Sequence, residues 1–217
     1  VRCKMELDII GDAKALAEVD PDFKKLISEI GLPEERHRVP NLATLIHIIV
    51  SQQISLAAAS SIWEKFTEQL HDISPNNIIR LGENGLRNIG FTRSKSTAAL
   101  NLCQHMMNGT FEIDAMFSMD DNNAKKYIMR LSGFGEWSAS IFLIFCLARP
   151  DIWPSGDIAL QEATKSFKKL NTRPKPKQMD EISIAWEPFR STAAHLLWHY
   201  YAKVVRNQKM KELKGFQ

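Results

Sequence analysis

The chain has only three cysteines, Cys3, Cys103 and Cys146, and no two of them form a CxxC pair. Neither a disulfide framework nor a zinc knuckle is expected, and sparse unpaired thiols point to a reducing compartment. Three thiols cannot supply the four thiolates of an iron–sulfur cluster within this chain. No uninterrupted apolar run approaches 18 residues, and no basic segment followed by an apolar stretch opens the sequence. No membrane association is therefore expected, and the protein is read as soluble and intracellular. Strand signals are missing too, since no window alternates apolar and polar residues between turn residues. The expected fold class is all-α.

What is present fits a compact helical protein. A chain of 217 residues can bury about 70% of its unfolded surface. Hydrophobic residues at 44% and charged residues at 24% are ordinary proportions for a globular protein. Charge is unevenly spread. Residues 157–217 hold 12 Lys or Arg against 6 Asp or Glu, a balance of +6, which leaves the first 156 residues at −3 of the total +3. Such polarity suits a surface laid on an acidic polymer, and it equally suits a solvated basic tail over Lys203–Lys214.

Start and stop signals divide the chain into helices. Asn41 is placed to cap LATLIHIIVSQQ, and Ser55 to cap a helix running to about Leu70. Ser74-Pro75 opens a short helix through Leu81, followed by a small helical turn region from Gly82 to Gly90. Thr92–Met107 reads as an amphipathic helix closed by Asn108-Gly109. Further helices are expected over 120–130, 136–148, 157–168 and 188–205, with a basic, proline-broken loop over Asn171–Lys177. Met106-Met107 and Phe142–Phe145 read as packing. His195 and His199 stand one helical turn apart, but no third ligand accompanies them as a metal site would need. No linker clearly divides domains.

The stretch Leu131–Asp157, LSGFGEWSASIFLIFCLARPDIWPSGD, carries the most chemistry. Before it, Asp120-Asp121-Asn122-Asn123 opens a helix whose later residues are basic. The unit is therefore a helix, a Gly133-x-Gly135 hairpin, an apolar helix, a loop and Asp157. Two glycines let the turn adopt positive φ and let its backbone approach another surface. Amides at the start of the second helix suit an anion, and a phosphate is the obvious one. By spacing alone, Asp157 would cap the helix that begins at Ile158.

Three blocks in order now add up to a resemblance. Leu131–Ala139 with Asp151–Asp157 is similar to the helix-hairpin-helix (HhH-GPD) DNA glycosylases, within them to the 3-methyladenine DNA glycosylase II branch of alkylation repair. Trp186–Ser191 running into Trp198 resembles that branch's last helix, and Leu42–Leu56 resembles the helix and turn that open its core. The resemblance spans roughly residues 40 to 200. It implies a two-lobed helical fold without the N-terminal β lobe of some members, with a middle lobe over about 41–147 and a second over about 1–40 plus 148–217. The cleft would lie between the lobes, with Asp157 at its mouth.

The resemblance also assigns roles. Asp157 would be the catalytic carboxylate that stabilises oxocarbenium-like charge and orients water. Members that also nick DNA carry a Schiff-base lysine where this chain has Trp137, so a monofunctional enzyme leaving an abasic site is implied. Trp137 and Trp198 would line the base pocket, with Ile141 and Ile158 where relatives carry tyrosines. A cationic alkylated base over such rings gains about 1–2 kcal/mol from each. Gln53 would fill the gap left by the flipped base, assisted by Ile54. The backbone of Gly133, Phe134, Gly135, Glu136 and Trp137 would hold DNA. A structural Na+ or K+ would bind the carbonyls of Met129, Leu131 and Phe134, and no other cofactor is implied. The expected partner is double-stranded DNA containing damaged bases, met by a monomer in the bacterial cytoplasm or a eukaryotic nucleus. The competing readings are a non-catalytic helix-hairpin-helix DNA-binding protein and a glycosylase for a different lesion.

Overall fold

The structure is a computed structural model that describes residues 7–207. Its elements in chain order are α1 (Ile9–Val19), α2 (Pro21–Ile30), α3 (Leu42–Ser51), α4 (Leu56–Gln69), α5 (Pro75–Ile89), α6 (Arg93–Met107), α7 (Ala115–Ser118), α8 (Asp121–Met129), α9 (Glu136–Phe145), α10 (Ile158–Phe167), α11 (Pro176–Ser183) and α12 (Arg190–Tyr200). A 3-10 turn over Ile184–Trp186 precedes α12 and a π-helical turn over Tyr201–Val205 follows it. No strand occurs among the described residues, and the all-α expectation holds. Among them no helix is long and apolar enough to cross a membrane. Cys3 and the end of the basic C-terminal segment lie outside the described residues.

Capping chemistry explains most helix starts. Asn41, Ser55, Thr92 and Asp120 each accept the amide three residues on, at 2.9, 3.2, 3.3 and 2.8 Å, which satisfies a donor that has no partner inside the helix. Ser74 differs: it occupies the cap position of α5 but its side chain makes no capping bond, so Pro75 at the first position carries the start. α5 is interrupted at Gly82 (φ 68, ψ 179), which gives the short helix and following helical turn that the glycine predicted. The structure corrects the expected helix over 136–148, because α9 ends at Phe145. There the Leu147 amide bonds the Phe142 carbonyl at 3.3 Å, and Ala148 takes φ 48.

Four helices, α1, α2, the four-residue α7 and α11, lie outside the expected set. Asp8 caps α1 through the amides of Ile10 and Gly11 at 3.2 and 3.0 Å. Asp20 caps α2 through the Asp22 amide at 3.1 Å, ahead of Pro21. α11 begins at Pro176, inside the stretch expected to be a loop, where Gln178 Oε1 accepts the Lys175 amide at 3.0 Å. Proline breaks a helix interior but is favourable in the first turn.

The chain divides into two compact units, Val1–His37 with Ala148–Gln217, and Arg38–Leu147. The first unit is built on Leu16, Phe23, Leu160, Met179, Trp186 and Leu197, all nearly inaccessible to solvent. Trp186 sits edge-on to both Phe23 and Trp153, with ring centroids 5.3 Å away in each case. Its indole N–H donates to Asp20 Oδ2 at 2.9 Å, and Lys168 Nζ meets the same oxygen at 2.7 Å. The second unit buries Leu45, Ile46 and Ile49 of α3 together with Leu102 of α6 and Phe142 of α9. Trp63, Phe66 and Phe91 continue that core as a row of rings 5.4 and 5.6 Å apart.

Candidate functional site

In the unit of residues 38–147, α8 and α9 are joined by a tight turn. The Leu131 amide bonds the Ile128 carbonyl at 3.1 Å, and the Phe134 amide bonds the Leu131 carbonyl at 3.1 Å. Gly133 has φ 83, and a Cβ there would stand 2.5 Å from Ala98 Cβ of α6. Both conformation and space demand glycine at this position. Gly135 departs from the expectation of positive φ: at φ −102, ψ −173 it is ordinary extended backbone. A Cβ on it would meet nothing within 4 Å, so within this unit nothing crowds it. α9 begins directly behind it with no side chain capping its first amides. The first turn of a helix carries the positive end of its dipole.

The residues assigned to this hairpin differ in what they offer. Phe134 is buried, so only its backbone can reach a partner, and Leu131 is buried likewise. Glu136 is exposed and lies 3.3 Å from Lys125 Nζ, a surface pair that contributes little. Trp137 and Ile141 are half-buried on α9, four residues apart and hence on one face. Met129 is 37% exposed. Of the three carbonyls named for a cation, that of Leu131 already accepts the Phe134 amide; a carbonyl has two lone pairs, so one acceptor position fits a cation.

The α3–α4 turn lies in the same unit. Gln53 and Ile54 are exposed, and Gln53 has φ 56, a conformation side-chain-bearing residues seldom adopt. Two residues missed in the sequence hold this turn. Gln52 Nε2 donates to the Gly133 carbonyl at 2.8 Å and to Ser138 Oγ at 2.9 Å. Lys95 of α6, only 8% exposed, donates through Nζ to the carbonyls of Val50 and Gln52, both at 2.8 Å. Burial pushes its ammonium pKa below the usual lysine range. The signal for Lys95 was there: it shares a helix face with Ala98, Ala99 and Leu102, and a cation on an apolar stripe needs a partner. Nearby, His47 meets Arg38 Nη1 at 2.8 Å and the Trp63 ring at 4.9 Å. Burial, and then Arg38, pull its pKa down to about 4.

In the unit of residues 1–37 and 148–217, the loop that ends at Asp157 is anchored by the start of α12. Ser191 Oγ donates to the Arg149 carbonyl at 2.6 Å and accepts the Ile152 amide at 2.9 Å. Arg190 grips Asp151 through Nε and Nη2, both at 2.7 Å. Gln161 Nε2 holds the Ser155 carbonyl at 2.8 Å. Asp157, half-buried, then caps α10: its Oδ1 accepts the Leu160 amide at 2.8 Å. The same oxygen accepts the indole N–H of Trp198 at 3.1 Å. Trp198 is thus a hydrogen-bond donor to the acid, a role its assignment as a pocket ring did not include. It is half-buried and edge-on to His195 at 5.8 Å. Burial in turn pulls the pKa of His195 down to about 4. Ile158, one residue after the acid, is 62% exposed.

A glycine hairpin between two helices, followed by a helix-capping aspartate on an anchored loop, defines a helix-hairpin-helix protein. Residues 46–188 match the HhH-GPD superfamily of base excision DNA repair proteins, and the chain belongs to that family. It is 28% identical over 162 residues to the DNA-3-methyladenine glycosylase of Bacillus subtilis, covering 69% of this chain and 54% of that protein. The chain therefore spans about half that relative's length. The alkylbase DNA glycosidase-like protein mag2 of Schizosaccharomyces pombe is 26% identical over 194 residues, covering 85% of this chain and 90% of that protein. Among solved structures, the fold is similar to that of the S. pombe 3-methyladenine DNA glycosylase Mag1 in complex with abasic DNA. The TM-score is 0.83 at 21% identity, covering 89% of this chain and 98% of that one.

Proposed function

We propose that this chain is a monofunctional DNA glycosylase that flips alkylated, 3-methyladenine-type bases out of duplex DNA and hydrolyses the N-glycosidic bond, leaving an abasic site. The observation that carries the reading is the setting of Asp157: a half-buried carboxylate oriented through Oδ1 by the Leu160 amide and the Trp198 indole, on a loop pinned by Ser191 and Arg190. The family supports DNA repair, and the relatives named for 3-methyladenine and alkylbase excision support the base class. The complex of Mag1 with abasic DNA supports DNA as partner.

As the base departs, positive charge builds on the sugar. A carboxylate about 4 Å away would lower that state by roughly 4 kcal/mol at an effective dielectric of about 20, close to a thousandfold in rate. It would also orient or deprotonate the attacking water. An alkylated purine leaves as a cation-derived base and needs little protonation, so one acid suffices. Trp137 cannot form an imine, so no lyase step follows. An electron-rich indole such as that of Trp137 or of Trp198 favours a cationic aromatic base over a neutral one. The amides that open α9, with the backbone from Gly133 to Trp137, would grip a phosphate. A monovalent cation on the carbonyls of Met129, Leu131 and Phe134 would add positive charge to that grip. Gln53 and Ile54 would fill the space of the flipped base. The enzyme would act as a monomer.

The test is to incubate the protein with methylated duplex DNA, separate released bases by chromatography, and treat the DNA with alkali. The reading expects 3-methyladenine in the supernatant and strand breaks only after alkali. Binding without release would point to a non-catalytic helix-hairpin-helix protein. Release of other lesions alone would move the substrate class.

A further inference from the structure

The α3–α4 turn poses a problem that the proposed function leaves open. Gln53 holds φ 56 without being glycine, a conformation that persists only where the surroundings impose it. The imposing groups can be identified. The Gln52 carbonyl and the Gln53 amide belong to one planar peptide unit. Lys95 Nζ binds that carbonyl and the Val50 carbonyl, both at 2.8 Å, so the plane entering Gln53 is held by a buried ammonium. The Val50 carbonyl is among the last in α3 and lacks a helical partner, and a cation is favourable at that end. The Gln52 side chain extends the other way, to the Gly133 carbonyl and Ser138 Oγ. One residue is thus gripped at its backbone from α6 and at its side chain from the hairpin and α9. The partners of Lys95 are main-chain carbonyls rather than a carboxylate, so its charge serves to orient backbone.

We propose that Lys95 and Gln52 are positioning residues that lock Gln53 in its left-handed conformation and join it to the Gly133 hairpin, so that wedge and phosphate grip meet DNA as one rigid piece. The inference rests on the reading of Gln53 as the wedge. Asparagine adopts the left-handed conformation more readily than glutamine does, which separates backbone locking from general stability.

The experiment uses the full chain and a duplex bearing a tetrahydrofuran abasic site beside 2-aminopurine, reading dissociation constant and fluorescence increase. Thermal unfolding of each variant runs in parallel. Gln53→Ala should weaken binding about tenfold and remove most of the fluorescence change. Lys95→Met should do the same, and it should cost several-fold less when added to Gln53→Asn than when made in wild type, because asparagine holds the left-handed conformation with less help. If Lys95→Met fails to fold, Gln52→Leu, which leaves the ammonium in place, should show the same loss and the same smaller cost in Gln53→Asn. Wild-type behaviour in Gln53→Ala would overturn the wedge reading and this inference together. A defective Gln53→Ala beside an unaffected Lys95→Met and Gln52→Leu would overturn the inference alone, as would a defect as large in Gln53→Asn as in wild type.

Discussion

Replacing Trp198 with phenylalanine keeps an aromatic ring and removes one N–H, the donor that reaches Asp157 Oδ1 at 3.1 Å. Hydrogen bonds to charged acceptors contribute about 1.5–3 kcal/mol. The distance is at the long end of the N–H···O range, the site is half-buried, and the Leu160 amide at 2.8 Å continues to hold the same oxygen. The lower end applies. About 1.5 kcal/mol corresponds to roughly a tenfold slower reaction. The assay is single-turnover release of 3-methyladenine from saturated duplex DNA, with affinity for abasic duplex measured on the same preparation. The expected result is a rate near one tenth of wild type with affinity within about twofold. A rate unchanged within twofold would refute the orienting role and leave Trp198 as a pocket ring alone. Equal losses in rate and affinity would show that the indole acts in binding.

Gly133→Ala should cost about 2–4 kcal/mol, because φ 83 and a Cβ 2.5 Å from Ala98 combine backbone strain with a clash against a short, rigid side chain; calorimetry should show melting lowered by several degrees. His47 and His195 are both held near pKa 4, below the unfolded value of about 6.5. Their neutral forms contribute stability that is fully present above about pH 6.5 and is lost as pH falls toward 4, so each should cost about 1.4 kcal/mol at pH 5.5, and urea midpoints across pH 7.5 to 5 should fall. Asn41→Ala should cost about 1 kcal/mol by removing the 2.9 Å cap bond to Thr44, whereas Ser74→Ala should cost under 0.5, since Ser74 makes no such bond.

Local chemistry made much of this fold readable. A side-chain oxygen at the right offset from an amide marks a helix start, and Asn41, Ser55, Thr92 and Asp120 all perform that role in the structure. Asp157 does so too, as its position before Ile158 predicts. Reading was poorer where one residue carries two meanings. Pro176 looked like a loop-breaker and begins a helix; Gly135 looked like a second positive-φ glycine and is extended. Least readable were bonds between residues far apart in sequence. Lys95 reaches carbonyls 43 and 45 residues earlier, and Gln52 reaches the hairpin 81 and 86 residues later. No local pattern encodes such partners. The supporting role of Gln52 needed tertiary structure.

The central claim is that Asp157 supplies the negative charge that breaks the glycosidic bond. Asp157→Asn tests it with little disturbance, since an amide oxygen can still cap α10 and accept the Trp198 N–H. Single-turnover release of 3-methyladenine, measured beside thermal unfolding and abasic-DNA binding, should fall about a thousandfold while melting and affinity stay near wild type. Release within a few fold of wild type would contradict the account and leave Asp157 as the cap of α10 only.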